Sequence, residues 1–275
     1  MRIELKNRPK NLENELSRLA PWGHYFKFDD RTITGFYTKI IPPEEVALKP
    51  GMTFCTSHDS PDKISSFNDA YDAMITNSKR QFMLIDILQK LMGNDYKEAT
   101  AYDFGCNDGM KTFYFKKSGV KHAIGFEYRE DCVERANYIN EISDSGCKFI
   151  HYPISADSPE YAANLEPAEI VASFGILHHI IEHRQHIECL FRVTKQVLVL
   201  HTAFTDKKHM NEIFSEENTE NSFKSVTGER ALTTKQEIVN MLYDVGFSYV
   251  LDIRDHHSID KGGFSQFMAY LIAVV

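Results

Sequence analysis

The chain has little with which to staple or anchor itself. Only five of its 275 residues are cysteine (Cys55, Cys106, Cys132, Cys147 and Cys189), an odd number with no CxxC spacing. That pattern excludes a disulfide framework and reads as reduced thiols in a cytoplasmic protein. No uncharged stretch approaches the ~18 residues of a membrane span, and the apolar end from Gly262 to Val275 is too short. The opening, MRIELKNRPKNLENEL, is charged throughout and lacks the apolar segment of a signal peptide. Positive charge is the scarcer sign: 31 Lys and Arg against 39 Asp and Glu leave a net charge of −8. Generic binding to nucleic acid or anionic lipid needs a positive field to release counterions, so that balance argues against both. There is one tryptophan, Trp22, and no Gly/Ser-rich linker.

What is present describes a globular protein: 43% of residues are apolar and 25% charged. The length suits one large domain or one domain with an extension. Residues 1–75 read as an N-terminal extension, with a helix at Asn11–Leu19 and two strands, Tyr25–Phe28 and Thr32–Tyr37, around a polar turn. Trp22 is either its core anchor or part of a lid over a substrate. Residues 76–275 alternate strand and helix. Strands are expected at Thr100–Phe104, Ala123–Phe126, Phe149–Ile154, Ile170–Phe174 and Val197–Thr202. Helices are expected at Gln81–Met92, Met110–Ser118, Asp131–Glu141, Pro159–Leu165 and Ile180–Val193. This alternation predicts an α/β, doubly wound, mostly parallel sheet. A polar insert at about 206–230 interrupts it. The ending is a helix, Thr234–Val245, and two strands, Phe247–Ile253 and Phe264–Val275. No helix separates the two, so they are expected to pair antiparallel.

Asp103-Phe104-Gly105-Cys106-Asn107-Asp108-Gly109 ends the first strand and opens a helix. Gly105 and Gly109 permit positive φ and close backbone approach, and the helix start offers unpaired N–H groups. Eighteen residues after Gly109, Glu127 ends the second strand, where a carboxylate can accept both hydroxyls of a ribose. Together they describe an adenosine site. A dinucleotide loop needs GxGxxG, and here the acidic Asp103 would repel a pyrophosphate. Asp103 suits a cationic group such as an amino acid's ammonium, which S-adenosylmethionine carries. The plainer reading is a strand–turn–helix with no ligand.

These segments, with Ser173-Phe174-Gly175-Ile176-Leu177-His178-His179, resemble the class I S-adenosylmethionine-dependent methyltransferases, and more narrowly the group related to the tRNA wobble-uridine (carboxy)methyltransferase. The narrower likeness rests on Pro21-Trp22-Gly23-His24 with Thr34-Gly35, on the glycine loop, and on Gly175–His179 leading to Leu190–Thr194. The resemblance implies a Rossmann-like seven-stranded sheet with an antiparallel last strand. It implies S-adenosyl-L-methionine as cofactor, with Asp103, Gly105, Cys106, Asn107 and Gly109 around its methionine part and Glu127 and Tyr128 at its ribose. Ser155, Ala156 and Asp157 would meet the adenine, and Phe174, Gly175 and His178 would close the pocket. Asn107 stands where glycine is commonest and His178 where the nearest relatives carry tyrosine; both bear on cofactor choice.

Methyl transfer to oxygen needs an aligned nucleophile and a base near neutral pKa. His179 is the first candidate base, with His178 as a cofactor-side contact and His201 as runner-up; each also reads as a helix cap or a core histidine. His178, His179, His183 and His186 raise a metal reading, but without HExxH or an obvious third ligand none is expected. Lys79 and Arg80 read as a solvated face or as partners of a cofactor carboxylate. The expected function is methyl transfer to a hydroxyl or amine of a small polar acceptor such as a sugar, nucleotide-sugar or natural product. The alternatives are a tRNA-modifying (carboxy)methyltransferase and a cofactor-binding protein without catalysis.

Overall fold

The computed structural model describes residues 1–6, 8–20, 22–24, 26, 28, 33–34, 40–41, 67–152, 162–205, 213–214, 230–253, 258–261 and 264–275. Seven strands form one mixed sheet: β1 (Thr100–Phe104), β2 (His122–Glu127), β3 (Lys148–His151), β4 (Ala168–Phe174), β5 (Thr194–Phe204), β6 (Tyr249–Asp252) and β7 (Phe264–Val274). They lie in the order β3-β2-β1-β4-β5-β7-β6, with Ser258–Lys261 as a short eighth strand on β7. β1 to β5 are parallel, while β7 runs antiparallel to both β5 and β6. The doubly wound α/β sheet and its reversed last strand are as the alternation predicts.

Helices α1 (Leu12–Arg18), α2 (Phe67–Met92), α3 (Met110–Ser118), α4 (Glu130–Ser143), α5 (His183–Arg192) and α6 (Lys235–Val245) surround the sheet. Two buried clusters divide at the sheet. One joins Leu84, Ile85 and Leu88 of α2, Phe113 and Phe115 of α3 and Ile139 of α4 to Ala101, Ala172 and Val199. The other joins Ile187 and Leu190 of α5 and Ile238 and Leu242 of α6 to Tyr102, Phe104 and Leu198. Alternation along β1 sends Ala101 to the first layer and Tyr102 and Phe104 to the second. Asp103 therefore faces α3.

Several expected elements shift. The helix read at Gln81–Met92 begins at Phe67, so the division at residue 75 falls inside it. Of the two N-terminal strands, Ile33–Thr34 pairs with Ile40–Ile41, whereas Phe26 and Phe28 lie in no strand and are buried. Phe26 and Phe28 reach the core without strand geometry, and Tyr25 and Lys27 lie outside the described residues. Of the helix expected at Pro159–Leu165, the described residues 162–164 form turns. The helix expected from Ile180 starts at His183, because Ile180 is extended after the 3-10 turn Leu177–His179. That break removes the helical spacing between His179 and His183. Within the insert, Ile213–Phe214 pairs with Arg230–Ala231. Among the described residues no helix is long and apolar enough to cross a membrane.

The N-terminal segment belongs to the first layer. Leu12, Leu16, Trp22 and Phe26 are fully buried, the Trp22 indole N–H donates to Leu16 O at 2.8 Å, and the Phe26 ring meets Phe113 edge-on. Trp22→Ala should therefore cost about 3–5 kcal/mol of global stability, read as a lowered denaturant midpoint; a change below about 1 kcal/mol would mean that the segment is merely appended.

Candidate functional site

The sheet order reverses between β1 and β4, whose successors run to opposite sides, so a crevice opens past the carboxyl ends of these two strands. The loop 105–109 follows β1 and the turn 175–179 follows β4. In the loop, φ alternates in sign: Gly105 (+68°), Asn107 (+53°) and Gly109 (+88°) are left-handed. A Cβ on Gly105 would overlap the Ile176 side chain, and one on Gly109 would lie 2.6 Å from the Phe149 ring. Asn107 takes the position where glycine is commonest because asparagine tolerates the left-handed region; its Oδ1 accepts the Asp108 N–H at 2.8 Å. Gly125 lets the loop sit on β2, since a Cβ there would lie 2.6 Å from Cys106 Sγ. Cys106 is thus turned into the core, where burial holds its thiol well above the usual range.

Two buried carboxylates floor the crevice. Asp103 accepts the Thr112 hydroxyl on Oδ2 at 2.7 Å, while among the described residues its buried Oδ1 has no hydrogen-bond partner. Burial raises its pKa to about 6, against the opposing pull of Lys111 and Thr112. Glu127 accepts the N–H groups of Asn107 (2.8 Å) and Arg129 (3.0 Å), one on each oxygen. Burial raises its pKa too, partly offset by those amides. A carboxylate oxygen has two lone pairs, so each Glu127 oxygen retains capacity for a hydroxyl. Tyr128 is exposed next to it. A Cβ on Gly175 would meet nothing within 4 Å, so space is open at the end of β4. Phe174 is buried against the first layer.

The histidines divide. His178 and His179 form one 3-10 turn with ring centroids 4.1 Å apart. His178 Nδ1 lies 3.3 Å from the Ala203 N–H and 3.2 Å from Thr202 Oγ1. An N–H aimed at Nδ1 leaves the neutral ring's proton on Nε2. His201 is buried on β5 beside Phe174, with Gln81 Nε2 3.1 Å from its Nδ1 and, among the described residues, no partner for its Nε2. Burial, aided by Lys111 and Arg80, lowers its pKa to about 3, so it stays neutral. His183 donates from Nε2 to Ala231 O, and His186 pairs with Ser173 Oγ. Both face the fold rather than a shared centre, and among the described residues no three His, Cys, Asp or Glu side chains form a metal-holding group. Ser155, Ala156 and Asp157, like His256 and His257, lie outside the described residues.

Sequence reasoning missed Thr112, Lys111, Asp108 and Gln81, which complete the polar layer around Asp103 and His201. For Lys111 and Thr112 the one signal is polar side chains at the start of α3 where an apolar stripe would otherwise run; Asp108, in the loop, and Gln81, on α2, carry no such mark.

The sequence matches no protein-family model and no curated protein. In structure the chain is similar to the N-terminal domain of EvdMO1 with S-adenosylhomocysteine bound, at a TM-score of 0.66 and 14% identity, over 98% of this chain and 97% of that one. The fold is the Rossmann-like methyltransferase fold. The chain spans 47% of full-length EvdMO1. It is also similar to magnesium protoporphyrin IX methyltransferase from Synechocystis PCC 6803 with bound S-adenosylmethionine (TM-score 0.50, 16% identity, 72% of this chain and 80% of that one). The SeMet-substituted CurJ carbon methyltransferase aligns at a TM-score of 0.51 with 12% identity, over 70% and 53% of the two chains. In this fold the carboxylates lie at the ends of β1 and β2 and the histidine turn follows β4, on the other side of β1.

Asp103 yields a test of its own burial. A carboxyl whose pKa rises on folding, here from 3.8 to about 6, lets the native state bind the proton more tightly, so its cost appears as pH rises through that window and is absent below it. Asp103→Asn should therefore stabilise the ligand-free protein at about pH 8 by up to about 3 kcal/mol. Melting curves against pH should show the advantage vanishing at about pH 3.5; an advantage that is the same at both ends would refute the assignment.

Proposed function

We propose that the protein is an S-adenosylmethionine-dependent methyltransferase acting on a hydroxyl or amine of a small polar acceptor, with a sugar as the favoured class. The observation that carries the reading is the unpartnered, buried Asp103 Oδ1 beside a loop whose glycines admit no side chain, with Glu127 one strand away. Asp103 would accept from the cofactor's ammonium, Glu127 would accept from its ribose hydroxyls, and Asn107 and Tyr128 would flank it. The narrow, left-handed loop brings backbone rather than side chains against such a ligand. When bound, the cofactor supplies a methyl group made electrophilic by its sulfonium.

The chain's part is to orient the acceptor and take up its proton. With the His178 proton on Nε2, that ring is a donor toward the pocket, and His179 becomes the base. His201, neutral and receiving the Gln81 amide on Nδ1, offers a donor at Nε2 rather than a base. General-base help of this kind is worth about 10²–10⁴ in rate.

The sugar class is favoured because the N-terminal domain of EvdMO1, matched over nearly its whole length, was crystallised in the presence of S-adenosylhomocysteine and D-fucose. A tRNA acceptor, which the wobble-uridine resemblance implies, needs a basic face, and the net charge of −8 favours the small acceptor. The four described cysteines are buried, and an odd total without CxxC spacing accords with a reducing, cytoplasmic setting.

Calorimetry with S-adenosylhomocysteine tests the binding half. Wild type should bind, and Glu127→Ala should lose about 10- to 100-fold in affinity, the worth of a charge-assisted hydrogen bond; a wild type that does not bind ends the proposal. Methyl transfer to a panel of free and nucleotide-linked sugars tests the chemistry. His179→Ala should cut turnover by about 10²–10⁴ with S-adenosylhomocysteine affinity unchanged. Binding without turnover on any acceptor would leave a cofactor-binding protein.

A further inference from the structure

Asp108 sits in the middle of the loop, fully buried, and nothing in the reading above uses it. Its carboxylate is hydrogen-bonded by residues from the start of the chain. Oδ2 accepts the backbone N–H groups of Gly23 (2.7 Å) and His24 (2.9 Å), and Oδ1 accepts from His24 Nδ1. The other face of the imidazole, Nε2, lies 2.7 Å from Lys111 Nζ. Burial lowers the His24 pKa to about 4, so the ring is neutral, donating at Nδ1 and accepting the ammonium proton at Nε2. Lys111 is itself buried and has Asp103, Asp108 and Glu127 as its electrostatic neighbours.

From Asp108 the bonds continue into the site. The Asp108 N–H goes to Asn107 Oδ1, and the Asn107 N–H goes to Glu127 Oε2. The loop carries three left-handed residues at alternate positions, a shape a short chain does not hold unaided. A buried carboxylate in such a loop also stays only where donors meet it. Three of those donors come from residues 23 and 24.

We propose that His24 is a positioning residue for the cofactor loop, clamping Asp108 on one side of its ring and Lys111 on the other, so that loop shape and docking of residues 22–24 are mutually dependent. Its effect on cofactor affinity rests on the methyltransferase reading; the coupling of His24 to the loop does not. By linkage, a ligand held by the loop also strengthens the docking of residues 22–24.

The test uses the full chain and two readouts: amide hydrogen exchange of residues 105–110 without ligand, and affinity for S-adenosylhomocysteine. His24→Leu keeps volume and removes both ring contacts; it should speed loop exchange at least about 10-fold and weaken binding by about the same factor. His24→Asn keeps a donor facing Asp108 and should restore most of the wild-type protection. His24→Gln reaches only toward Lys111 and should not restore it. A merely space-filling His24 would give the opposite order, with the leucine variant nearest wild type, and that order would overturn the proposal. Should His24→Leu fail to fold, the contrast between the asparagine and glutamine variants decides alone, and equal loop exchange in the two overturns it. Loop exchange that follows the variants in a protein that binds no S-adenosylhomocysteine would uphold the clamp and remove the methyltransferase reading.

Discussion

The arrangement depends on keeping three carboxylates, Asp103, Asp108 and Glu127, out of water within one turn of chain and its neighbouring strand. Each would cost several kcal/mol if left bare. Three different remedies are present. Asp108 is met by three donors of the N-terminal segment, Glu127 by two backbone amides, and Asp103 by Thr112 on one oxygen, its other oxygen having no partner among the described residues. Lys111 is the shared countercharge, close enough to hold Asp103 below the value that burial alone would impose.

This explains why the first layer is built as it is. Asp103 faces α3 because β1 alternates, and α3 meets it with Thr112 and Lys111 rather than with apolar side chains. The helix must lie close to β2, and Gly125 permits this where any side chain would strike Cys106, Phe149 or Thr112. The second layer is mainly apolar at its centre, filled by Phe104, Phe126, Leu198 and Leu200, and the buried polar pair on its side is His186 with Ser173.

The parts legible in the sequence are those governed by local period and turn chemistry. Met110–Ser118 is bounded by Gly109 and Gly119, both left-handed, and both ends could be read directly. Thr234 caps α6 through the Glu237 N–H, as a Ser/Thr before an apolar stripe suggests. The carboxylates at the ends of β1 and β2 were equally visible, because strand ends fix them. The contacts of His24 were not, since they join residues more than eighty positions apart and involve polar groups that no periodicity marks. Trp22 and Phe26 gave an apolar signal without saying which surface they cover. The three aromatics and one lysine of Tyr25–Phe28 look like a strand for the same reason: alternation reports burial, and burial has more than one geometry.

The histidine pair shows how far tautomer assignment can carry a role. His178 and His179 are adjacent, and composition cannot rank them. The rank comes from Ala203, whose N–H is aimed at His178 Nδ1 and so fixes a proton on the other nitrogen. A ring in that state carries its proton on Nε2 and cannot accept a second one there. The same reasoning removes His201 as a base, because Gln81 occupies the nitrogen that would accept, and burial already holds the ring neutral at every physiological pH. On the proposed reading, the carboxylates at the ends of β1 and β2 would take a cationic ligand, and the histidine turn after β4 would meet a neutral hydroxyl.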